Sequence, residues 1–377
     1  MKKKADPQPL VSVVIPTLNR SELLEKCISS FIQTVKNIRY EIIVVDDGSI
    51  ADEKEKIRAL ALGYGCKLLE MPFRQSYAKA VNKGVEASSG TYVLLLNNDV
   101  LLYQPGWLRK IINTAKSAWN IGIVGCRLLY SDGTIQHAGG ILYQDERYDH
   151  LYRGEPGALP KARLIYDVAS VTGALMLVKR EVFADIGLLS EDYRLSYEDL
   201  DFCLRARKKG WRVVYCGKSA AIHDEGSTRG RNREDKPSEW YEEELQSHIT
   251  FWQRWRQDMT TYPLQNLTFI FLLNKRFYIP PVQKLVSLTA GLQEHGCRIV
   301  LRKVDDDSKG VLPSLRDDLH LSENCVLVTN DQEIFSEAAK YNCMPIPFVP
   351  SAPKDWYRYP FPQDVHFWIN AASPYLK

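Results

Sequence analysis

Three polar residues interrupt an apolar run in the segment LLLNNDVLL, where Asn97, Asn98 and Asp99 follow three leucines. Removing a lone carboxylate from water costs several kcal/mol unless a cation or a hydrogen-bond donor pairs with it. Divalent cations such as Mg²⁺ and Mn²⁺ prefer oxygen ligands and are often held by one or two carboxylates together with substrate phosphates. We therefore interpret Asp99 as a candidate metal ligand, in preference to a surface-loop aspartate, because apolar residues flank it on both sides.

A second pair of carboxylates ends another apolar run, in the segment EIIVVDDGS. Asp46 and Asp47 precede a glycine and a serine, and all of these residue types form turns or cap helices. A carboxylate at a strand end can equally accept hydrogen bonds from a nucleotide base or a ribose hydroxyl. Both interpretations stay open at this point.

Adjacent carboxylates also begin a predicted helix in the segment LSYEDLDF. Glu198 or Asp199 could act there as a general base that deprotonates an attacking hydroxyl. Asp201 and Arg205 lie four residues apart, so we interpret them as an ion pair on the surface of that helix.

Histidine and basic residues offer weaker candidates. His223 follows a short apolar strand in AAIHDEGST, and a single histidine there is more often a satisfied core residue than a ligand. Its case as a ligand depends on whether the fold brings it near Asp99. Arg74 and Lys79 lie near a predicted helix start, where they could contact phosphate oxygens or remain solvated surface charges.

The elements that must position these residues alternate between two periodicities along the first hundred residues. Apolar runs rich in β-branched residues predict strands, and apolar residues at helical spacing between them predict helices. The predicted strands are 11–17, 40–49, 67–72 and 91–102, and the predicted helices are 21–35 with Ser21 as N-cap, 51–65 closed by Gly65, and 76–90 ending at Gly90.

Strands that are apolar on both faces and alternate with helices predict an α/β fold, a mainly parallel sheet flanked by helices. Ligands of such sheets bind beyond the carboxyl ends of the strands. We therefore expect Thr17, the Asp46–Asp47 pair and the segment 97–99 to lie along one edge of the sheet.

The pattern is less regular beyond residue 120. The segment 168–180 resembles a strand, 230–240 is charged and predicts an exposed connector, and 240–259 predicts an amphipathic helix. The aromatic stripe of this helix, from Trp240 to Trp255, could contact an acceptor or a lipid surface, but such a stripe is more often core or a domain interface. From residue 268 the α/β pattern restarts. It predicts strands at 268–274, 297–304 and 324–330, and helices at 280–296 and 331–342.

Composition excludes several classes of protein. Of the 377 residues, 45% are apolar and 25% are charged, as in an ordinary globular protein, and a net charge of +3 argues against a dedicated nucleic-acid binder. The eight cysteines form no CxxC pair, which favours buried free thiols in a reducing compartment over disulfides or a zinc site.

No signal peptide or transmembrane helix is predicted. The basic start MKKKADPQPL lacks a long apolar stretch, and no run of 18 consecutive apolar residues occurs. We expect a cytoplasmic protein, or one at the inner face of a membrane with no more than peripheral contact.

Six segments together resemble a known family. VSVVIPTLNR, EIIVVDDGS, YVLLLNNDV, VTGALMLVKREVF, LSYEDLDFCLRARKKGW and HDEGST occur in the order and approximate spacing of family 2 glycosyltransferases with the GT-A fold, a fold for nucleotide-diphospho-sugar transferases. HAGG at 137–140 is similar to a segment of bacterial members of rhamnosyltransferase type.

The resemblance implies an inverting, metal-dependent, non-processive glycosyltransferase. Its donor would be a nucleotide diphosphate sugar, UDP- or dTDP-linked, and its acceptor a hydroxyl of a glycan or of a lipid-linked or protein-linked acceptor. The setting implied is the assembly of cell-surface polysaccharide or glycoconjugate, with no nucleic acid as partner.

The resemblance also implies roles for single residues. Asp199 would be the catalytic base with Glu198 beside it, and Asp99 and His223 would bind Mn²⁺ or Mg²⁺. The residues implied in donor binding are Pro16, Thr17, Asn19, Asp46, Asp47, Lys79, Asn82, Asn97, Asn98 and Gly173. Because NND stands where the family more often has Asp-x-Asp, Asn97 puts the metal affinity in doubt, not the reaction class.

The resemblance and the element pattern together predict three parts. These are a GT-A catalytic domain at 1–235, a helical connector at 236–266, and a smaller Rossmann-like α/β segment at 267–377. The last is either an accessory domain or part of a second transferase domain.

Three other functions compete with that of a non-processive transferase. Processive synthases add a Gln-x-x-Arg-Trp motif and membrane helices, whereas FWQRWRQ at 251–257 has the composition without the spacing. Nucleotidyltransferases usually carry a glycine-rich loop after the first strand, and PTLNRSE contains no glycine. A non-catalytic nucleotide-sugar-binding or scaffold module remains the alternative, which the intact Asp99, Glu198, Asp199 and His223 disfavour.

Overall fold

A computed structural model of the protein describes residues 9–142, 148–224, 226, 237–260, 268–274, 282–294, 298–304, 325–329, 334 and 344–347. Its contacts divide the chain into two compact units. The first comprises Met1–Gly140, His150–Gly157 and Ser170–Arg254, and the second comprises Ile141–Asp149, Ala158–Ala169 and Trp255–Lys377. Within the described ranges, no helix combines the length and the apolar character needed to cross a membrane.

The strands up to residue 223 are short and lie between helices. They are β1 (Val11–Thr17), β2 (Tyr40–Asp46), β3 (Lys67–Glu70), β4 (Tyr92–Leu96), β5 (Val100–Leu101), β6 (Ile121–Leu129), β7 (Ile135–His137), β8 (Gly140–Leu142), β9 (Tyr148–His150), β10 (Ile165–Asp167), β11 (Leu175–Lys179) and β12 (Arg212–His223). The helices of this part and the long helix after it are α1 (Ser21–Thr34), α2 (Ala51–Tyr64), α3 (Tyr77–Glu86), α4 (Trp107–Lys116), α5 (Arg180–Ile186), α6 (Glu198–Lys208) and α7 (Ser238–Thr260).

The central sheet of the first unit has the strand order β12-β6-β11-β4-β1-β2-β3, with β5 paired to β12 and β7 paired to β6. Neighbours among β4, β1, β2 and β3 are parallel, as are β6 and β12, whereas β11 runs antiparallel to both of its neighbours. Central-strand residues such as Val14, Val44 and Leu95 are fully buried. The predicted mainly parallel α/β sheet is confirmed.

The predicted strand at 91–102 is in fact two strands that pair with different neighbours. β4 pairs with β1 and β11, whereas β5 pairs antiparallel with β12, so that Val100 lies opposite His223. The polar segment 97–99 is the turn between them. This change of partner carries the chain from the centre of the sheet to β12 and sets Asp99 beside the end of that strand.

Three local predictions are wrong in detail. Helix α1 has Arg20 as its N-cap, with φ of 55°, so Ser21 is its first residue rather than its cap. Helix α3 ends at Glu86, before the predicted Gly90, whose backbone N–H donates to Ser12 Oγ at 2.7 Å. Only the part of 168–180 that forms β11 is a strand, because Arg180 already begins helix α5.

The Asp201–Arg205 pair forms as predicted, at 2.7 Å, but not on the surface. The Asp201 side chain is fully buried, and it also accepts hydrogen bonds from Tyr193 Oη and from Arg254 Nη1. Three donors therefore compensate a carboxylate that would be costly to bury alone.

Four cysteines and part of the aromatic stripe are buried, as predicted, among the described residues. Cys27, Cys126, Cys203 and Cys216 are buried free thiols, and Cys66 is a half-buried one. In helix α7, Phe251 and Trp252 are buried, so this part of the aromatic stripe is core.

The second unit contains its own α/β pattern. Strands β13 (Thr268–Asn274), β14 (Arg298–Val304), β15 (Cys325–Thr329) and β16 (Met344–Pro347) pair in parallel in the order β14-β13-β15-β16, and helix α8 spans Val282–Glu294. The helix predicted at 331–342 and most of the connector predicted at 230–240 lie outside the described residues. The predicted boundaries at 235 and 266 stay a prediction.

Packing of α3 against β1 and β2 yields a first testable prediction. A Cβ at Gly84 would overlap Val14 Cγ1, whereas a Cβ at Gly63 in α2 would meet nothing within 4 Å. Gly84→Ala should lower the free energy of unfolding by about 1–3 kcal/mol through overpacking. The matched control Gly63→Ala should raise it by about 0.5–1 kcal/mol. Denaturant titration measures both, and stabilisation by Gly84→Ala would contradict this packing.

Candidate active site

The carboxyl ends of β1, β2 and β4 meet at one edge of the sheet, as predicted. Thr17 Oγ1 accepts a hydrogen bond from Asn98 Nδ2 at 2.9 Å, and the backbone N–H of Asp47 donates to the Thr17 carbonyl at 2.8 Å. Pro16 precedes Thr17 in β1, opposite Val45 of β2. Residues from three strands are thus held together by direct bonds.

The two loops that follow β1 and β2 are cross-linked through Asn19. Its backbone N–H donates to Ser49 Oγ at 2.6 Å, and its side-chain Oδ1 accepts from the backbone N–H of Ile50 at 2.9 Å. Ser49 in turn donates its own N–H to Asp46 Oδ1 at 3.1 Å. The tight turn requires a left-handed backbone at Asn19, with φ of 55°, a conformation that asparagine tolerates better than most residues.

Asp46 and Asp47 differ in how their charges are compensated. Asp46 is fully buried, its Oδ1 accepts from Ser49, and its Oδ2 lies 3.8 Å from Lys54 Nζ without a hydrogen-bond partner. Asp47 accepts one hydrogen bond, from the backbone N–H of Gln75 at 2.9 Å. Burial raises the pKa of Asp47 to about 6. Asp47 is therefore a carboxylate with unused acceptor capacity at the strand edge.

Gly48 allows the segment 73–75 to approach this edge. Its φ of 81° favours glycine, and a Cβ there would overlap the backbone of Phe73 and Arg74. The close approach is what brings the Gln75 N–H within hydrogen-bond distance of Asp47.

Asp99, in the turn between β4 and β5, lies beside His223 at the end of β12. Asp99 Oδ1 lies 3.2 Å from His223 Nε2, and both side chains are nine-tenths buried. The other imidazole nitrogen, Nδ1, lies 2.7 Å from Gln136 Oε1, and Gln136 Nε2 donates to the His223 carbonyl at 3.3 Å. The fold therefore supplies the proximity on which the ligand interpretation of His223 depended.

Hydrogen bonding assigns the protons of this imidazole. Because the Gln136 amide N–H₂ is directed to a carbonyl, its oxygen faces His223, so Nδ1 must be the donor. In the neutral imidazole, Nε2 then presents a lone pair towards Asp99 Oδ1, which has no hydrogen-bond partner. Two buried acceptors this close need a proton or a cation between them.

The geometry of this pair fits a divalent cation. Two ligands about 2.1 Å from an octahedral ion and at right angles to one another are about 3.0 Å apart, close to the observed spacing. Carboxylate oxygen suits Mg²⁺ and Mn²⁺, and neutral imidazole nitrogen is a common ligand of metal ions in proteins. No group of three or more His, Cys, Asp or Glu side chains that could hold a metal ion occurs within the described part of the chain.

Asn97 contributes its backbone more than its side chain. Its N–H donates to the Ala174 carbonyl at 2.9 Å, and its own carbonyl accepts from Cys27 Sγ at 3.4 Å. The side-chain Oδ1 is buried without a hydrogen-bond partner. An amide oxygen without a hydrogen-bond partner therefore lies two residues before Asp99 in the chain.

Asp199 is fixed by backbone donors from two directions. Its Oδ2 accepts from the Gly173 N–H and its Oδ1 from the Leu200 N–H, each at 2.7 Å. Tyr77 Oη donates to the Gly173 carbonyl at 2.9 Å. Since Gly173 directly precedes Ala174, the partner of Asn97, the Asp199 carboxylate belongs to the same neighbourhood as the NND turn. The Glu198 side chain is buried beside it.

Two residues implied in donor binding, Asn82 and Lys79, lie in helix α3 and not in the turns at the strand ends. Asn82 is buried in α3, where its amide bonds to the backbone of Leu189 on both sides and to Glu191 Oε1. It links α3 to the segment that precedes α6. Lys79 lies in the first turn of α3, which Ser76 caps. Arg74, a candidate for phosphate contact, pairs with Glu243 at 2.5 Å. Their roles towards a donor stay predictions.

Comparison with known proteins agrees with this arrangement. Residues 12–187 match the model of the family described as glycosyl transferase family 2. They form a glycosyl transferase family 2 domain. The site described above lies largely in this domain, and its fold is GT-A, as predicted.

This chain covers only part of the length of each of three relatives. O-antigen biosynthesis protein RfbC of Myxococcus xanthus is 29% identical over 231 residues, 59% of this chain and 18% of that protein. Glycosyltransferase AglE of Haloferax volcanii is 29% identical over 218 residues, 57% of this chain and 67% of that protein. An uncharacterized protein, y4gI, of Sinorhizobium fredii is 33% identical over 236 residues, which are 61% of this chain and 26% of that protein.

Among solved structures, GalNAc-T7 with UDP, GalNAc and Mn²⁺ aligns with a TM-score of 0.53 and 14% identity, covering 84% of this chain and 58% of that one. At this identity the likeness shows the fold alone.

Several residues of the site were missed from the sequence. Ser49 lies three residues after Asp46, a spacing typical of local side-chain turns, and it could have been found. Gln136 and Tyr77 could not, because their partners His223 and Gly173 are 87 and 96 residues away in the chain.

Burial of Asp47 predicts a specific dependence of stability on pH. Because its pKa is raised above the unfolded value, the folded state holds the proton more tightly, and stability falls as the pH rises from about 4 to 6. Asp47→Asn keeps an acceptor for Gln75 but has no such titration. It should therefore be more stable than wild type above pH 6, by on the order of 1–3 kcal/mol, and not at pH 4. Denaturant titrations at both pH values measure this, and a constant difference would contradict it.

Proposed function

We propose that the family 2 domain transfers a sugar from a nucleotide diphosphate sugar to a hydroxyl group, with inversion at the anomeric carbon and one sugar per encounter. The observation that carries the proposal is the pair of buried acceptors, Asp99 Oδ1 and His223 Nε2, 3.2 Å apart on the sheet edge that also carries the Thr17 and Asp47 turns. A cation and a diphosphate would satisfy both acceptors at once.

The nucleotide would lie against the loops after β1 and β2. Asp47 has an acceptor oxygen to spare for a base N–H, and uracil and thymine both present one, which suits UDP- or dTDP-linked donors. The cross-linked turn at Asn19 would hold the loop in place for the ribose. Pro16, Thr17, Asp46, Lys79, Asn82, Asn97, Asn98 and Gly173 complete the proposed donor-binding set.

Asp99 and His223 are the proposed ligands of Mn²⁺ or Mg²⁺. When bound, such an ion supplies positive charge that stabilises the departing diphosphate. Gln136 would act by keeping the proton on Nδ1, so that Nε2 remains a free donor atom for the metal.

Asp199 is the proposed catalytic base. Its carboxylate takes the proton of the acceptor hydroxyl while that oxygen forms a bond to the anomeric carbon. The bond from this carbon to the diphosphate oxygen breaks, and the nucleoside diphosphate leaves with the electron pair. The Gly173 and Leu200 N–H groups orient the carboxylate during this step, and Glu198 lies beside it.

Relatives support an acceptor on a glycan or on a lipid-linked or protein-linked chain. One relative is named for O-antigen biosynthesis. We place the reaction in the assembly of cell-surface polysaccharide or glycoconjugate, on the cytoplasmic side of the membrane.

A donor panel tests the proposal directly. The protein is incubated with Mn²⁺ and UDP-, dTDP- or GDP-sugars, and the release of nucleoside diphosphate is measured with and without simple glycan acceptors. We expect release from one class of donor. A protein that binds nucleotide sugars but releases nothing under any condition is a binding module instead.

Asp199→Asn should abolish transfer and leave nucleotide binding intact. The amide still accepts one backbone N–H but cannot take a proton, so kcat should fall by about 10²–10⁴-fold. The dissociation constant of the nucleoside diphosphate should change by less than about twofold. Asp52→Asn, an exposed change in α2, is the control, and unchanged turnover in Asp199→Asn would reject this base.

Asp99→Ala should remove the metal-dependent part of nucleotide affinity. Calorimetry of UDP, dTDP or GDP binding with Mn²⁺ and with EDTA separates the two parts. Wild type should bind more tightly with Mn²⁺, whereas the variant should show the same weak affinity in both buffers. Retention of the Mn²⁺ effect by the variant would contradict the assignment of Asp99.

A further inference from the structure

The segment that leads into Asp199 has an unfavourable backbone. Ser196 and Tyr197 are consecutive non-glycine residues with φ of 66° and 72°, directly before Glu198. Left-handed conformations cost an L-residue about 1–2 kcal/mol each. Such residues persist where neighbouring structure determines their conformation. Contacts outside the segment must therefore hold it.

Helix α7 provides those contacts within the first unit. Ser247 is almost fully buried, and its Oγ accepts from the backbone N–H groups of both Arg194 and Leu195 at 3.1 Å. His248 Nδ1 lies 2.8 Å from Tyr197 Oη. The Tyr197 ring packs against Phe251, with the ring centroids 5.1 Å apart.

A second anchor lies two turns further along the same helix. Arg254 Nη1 donates to Asp201 Oδ1 at 3.0 Å, and Arg254 Nη2 donates to Asp192 Oδ2 at 2.5 Å. Asp192 precedes the strained residues and Asp201 follows Asp199. The arginine therefore ties both ends of the segment to α7.

The beginning of α7 holds the other side of the site. Glu243 binds Arg74 in a two-point contact, Nη2 to Oε2 at 2.5 Å and Nη1 to Oε1 at 3.2 Å. The Arg74 guanidinium also lies over the Trp240 ring, 4.8 Å from its centroid. Arg74 precedes Gln75, whose N–H binds Asp47. Glu243 is one helical turn before Ser247, whose hydroxyl donates to the Glu243 carbonyl at 2.9 Å.

We infer that α7 is a positioning helix that orients the proposed base through Ser247 and His248 and fixes the donor-side segment 73–75 through Glu243. The inference rests on the proposed function for what the two sides do. The physical reason is that one rigid helix contacts both segments within about two turns.

Kinetics of variants on the two sides of the helix test the inference. His248→Phe keeps the ring packing but loses the bond to Tyr197, and Tyr197→Phe loses the same bond from the other partner. Both should lower kcat about 10- to 100-fold and leave nucleotide affinity within about twofold. His248→Asn, which can place an acceptor where Nδ1 lies, should recover part of the loss.

Glu243→Gln should affect donor binding and not turnover. It weakens the hold on Arg74, so the donor KM and the dissociation constant of the nucleoside diphosphate should rise several-fold with kcat nearly unchanged. Glu242→Gln, a neighbouring exposed change on the same helix, is the matched control and should alter neither quantity. A fall in kcat alone for Glu243→Gln, or a rise in KM alone for His248→Phe, would overturn the assignment of sides.

Hydrogen exchange without substrate separates this inference from the proposed function. In Ser247→Ala and His248→Phe, the amides of residues 194–200 should exchange faster than in Glu242→Gln. Unchanged exchange in both variants would overturn the positioning role. If no donor in the panel is turned over, the proposed function fails, and the exchange data still decide whether α7 holds this segment.

Discussion

The contact between the Asp99 carboxylate and the His223 imidazole is the constraint on which the rest of the site depends. Gln136 Oε1 accepts a hydrogen bond from Nδ1, so in the neutral imidazole the lone pair of Nε2 and the oxygen of Asp99 face one another 3.2 Å apart in a mostly buried place. Such an arrangement is stable only with a proton or a cation between the two atoms. The cation and diphosphate that we propose for this site would supply the missing positive charge.

Topology creates this contact from residues more than 120 positions apart in the sequence. Polar residues at 97–99 end β4 and let the chain cross to β12, where β5 pairs with the last residues of that strand. Antiparallel β11 separates β4 from β6, and Gly173 and Ala174, just before it, join Asp199 to the same turn. The change of strand partner thus brings the proposed metal ligands together, and the residues before β11 bring the proposed base to the same turn.

Sequence reasoning found what is local and missed what is long-range. Strand-end polar residues predicted the edge where Thr17, Asp47 and Asn98 meet, because the carboxyl ends of parallel strands coincide. The burial of Asp201 could not be predicted because its partner Arg254 is 53 residues away. The role of Gln136 could not be predicted because residue spacing does not determine which strands pair and in what register. The Ser21 cap failed because a left-handed Arg20 takes that position.

The central claim is that Asp99 and His223 form a metal site completed by the donor's diphosphate. Anomalous diffraction at the manganese edge, from crystals soaked in Mn²⁺ with and without UDP or GDP, tests it most directly. We expect a peak within about 2.3 Å of both Asp99 Oδ1 and His223 Nε2, strong with the nucleotide and weak without it. A peak elsewhere, or full occupancy without any nucleotide, would contradict it.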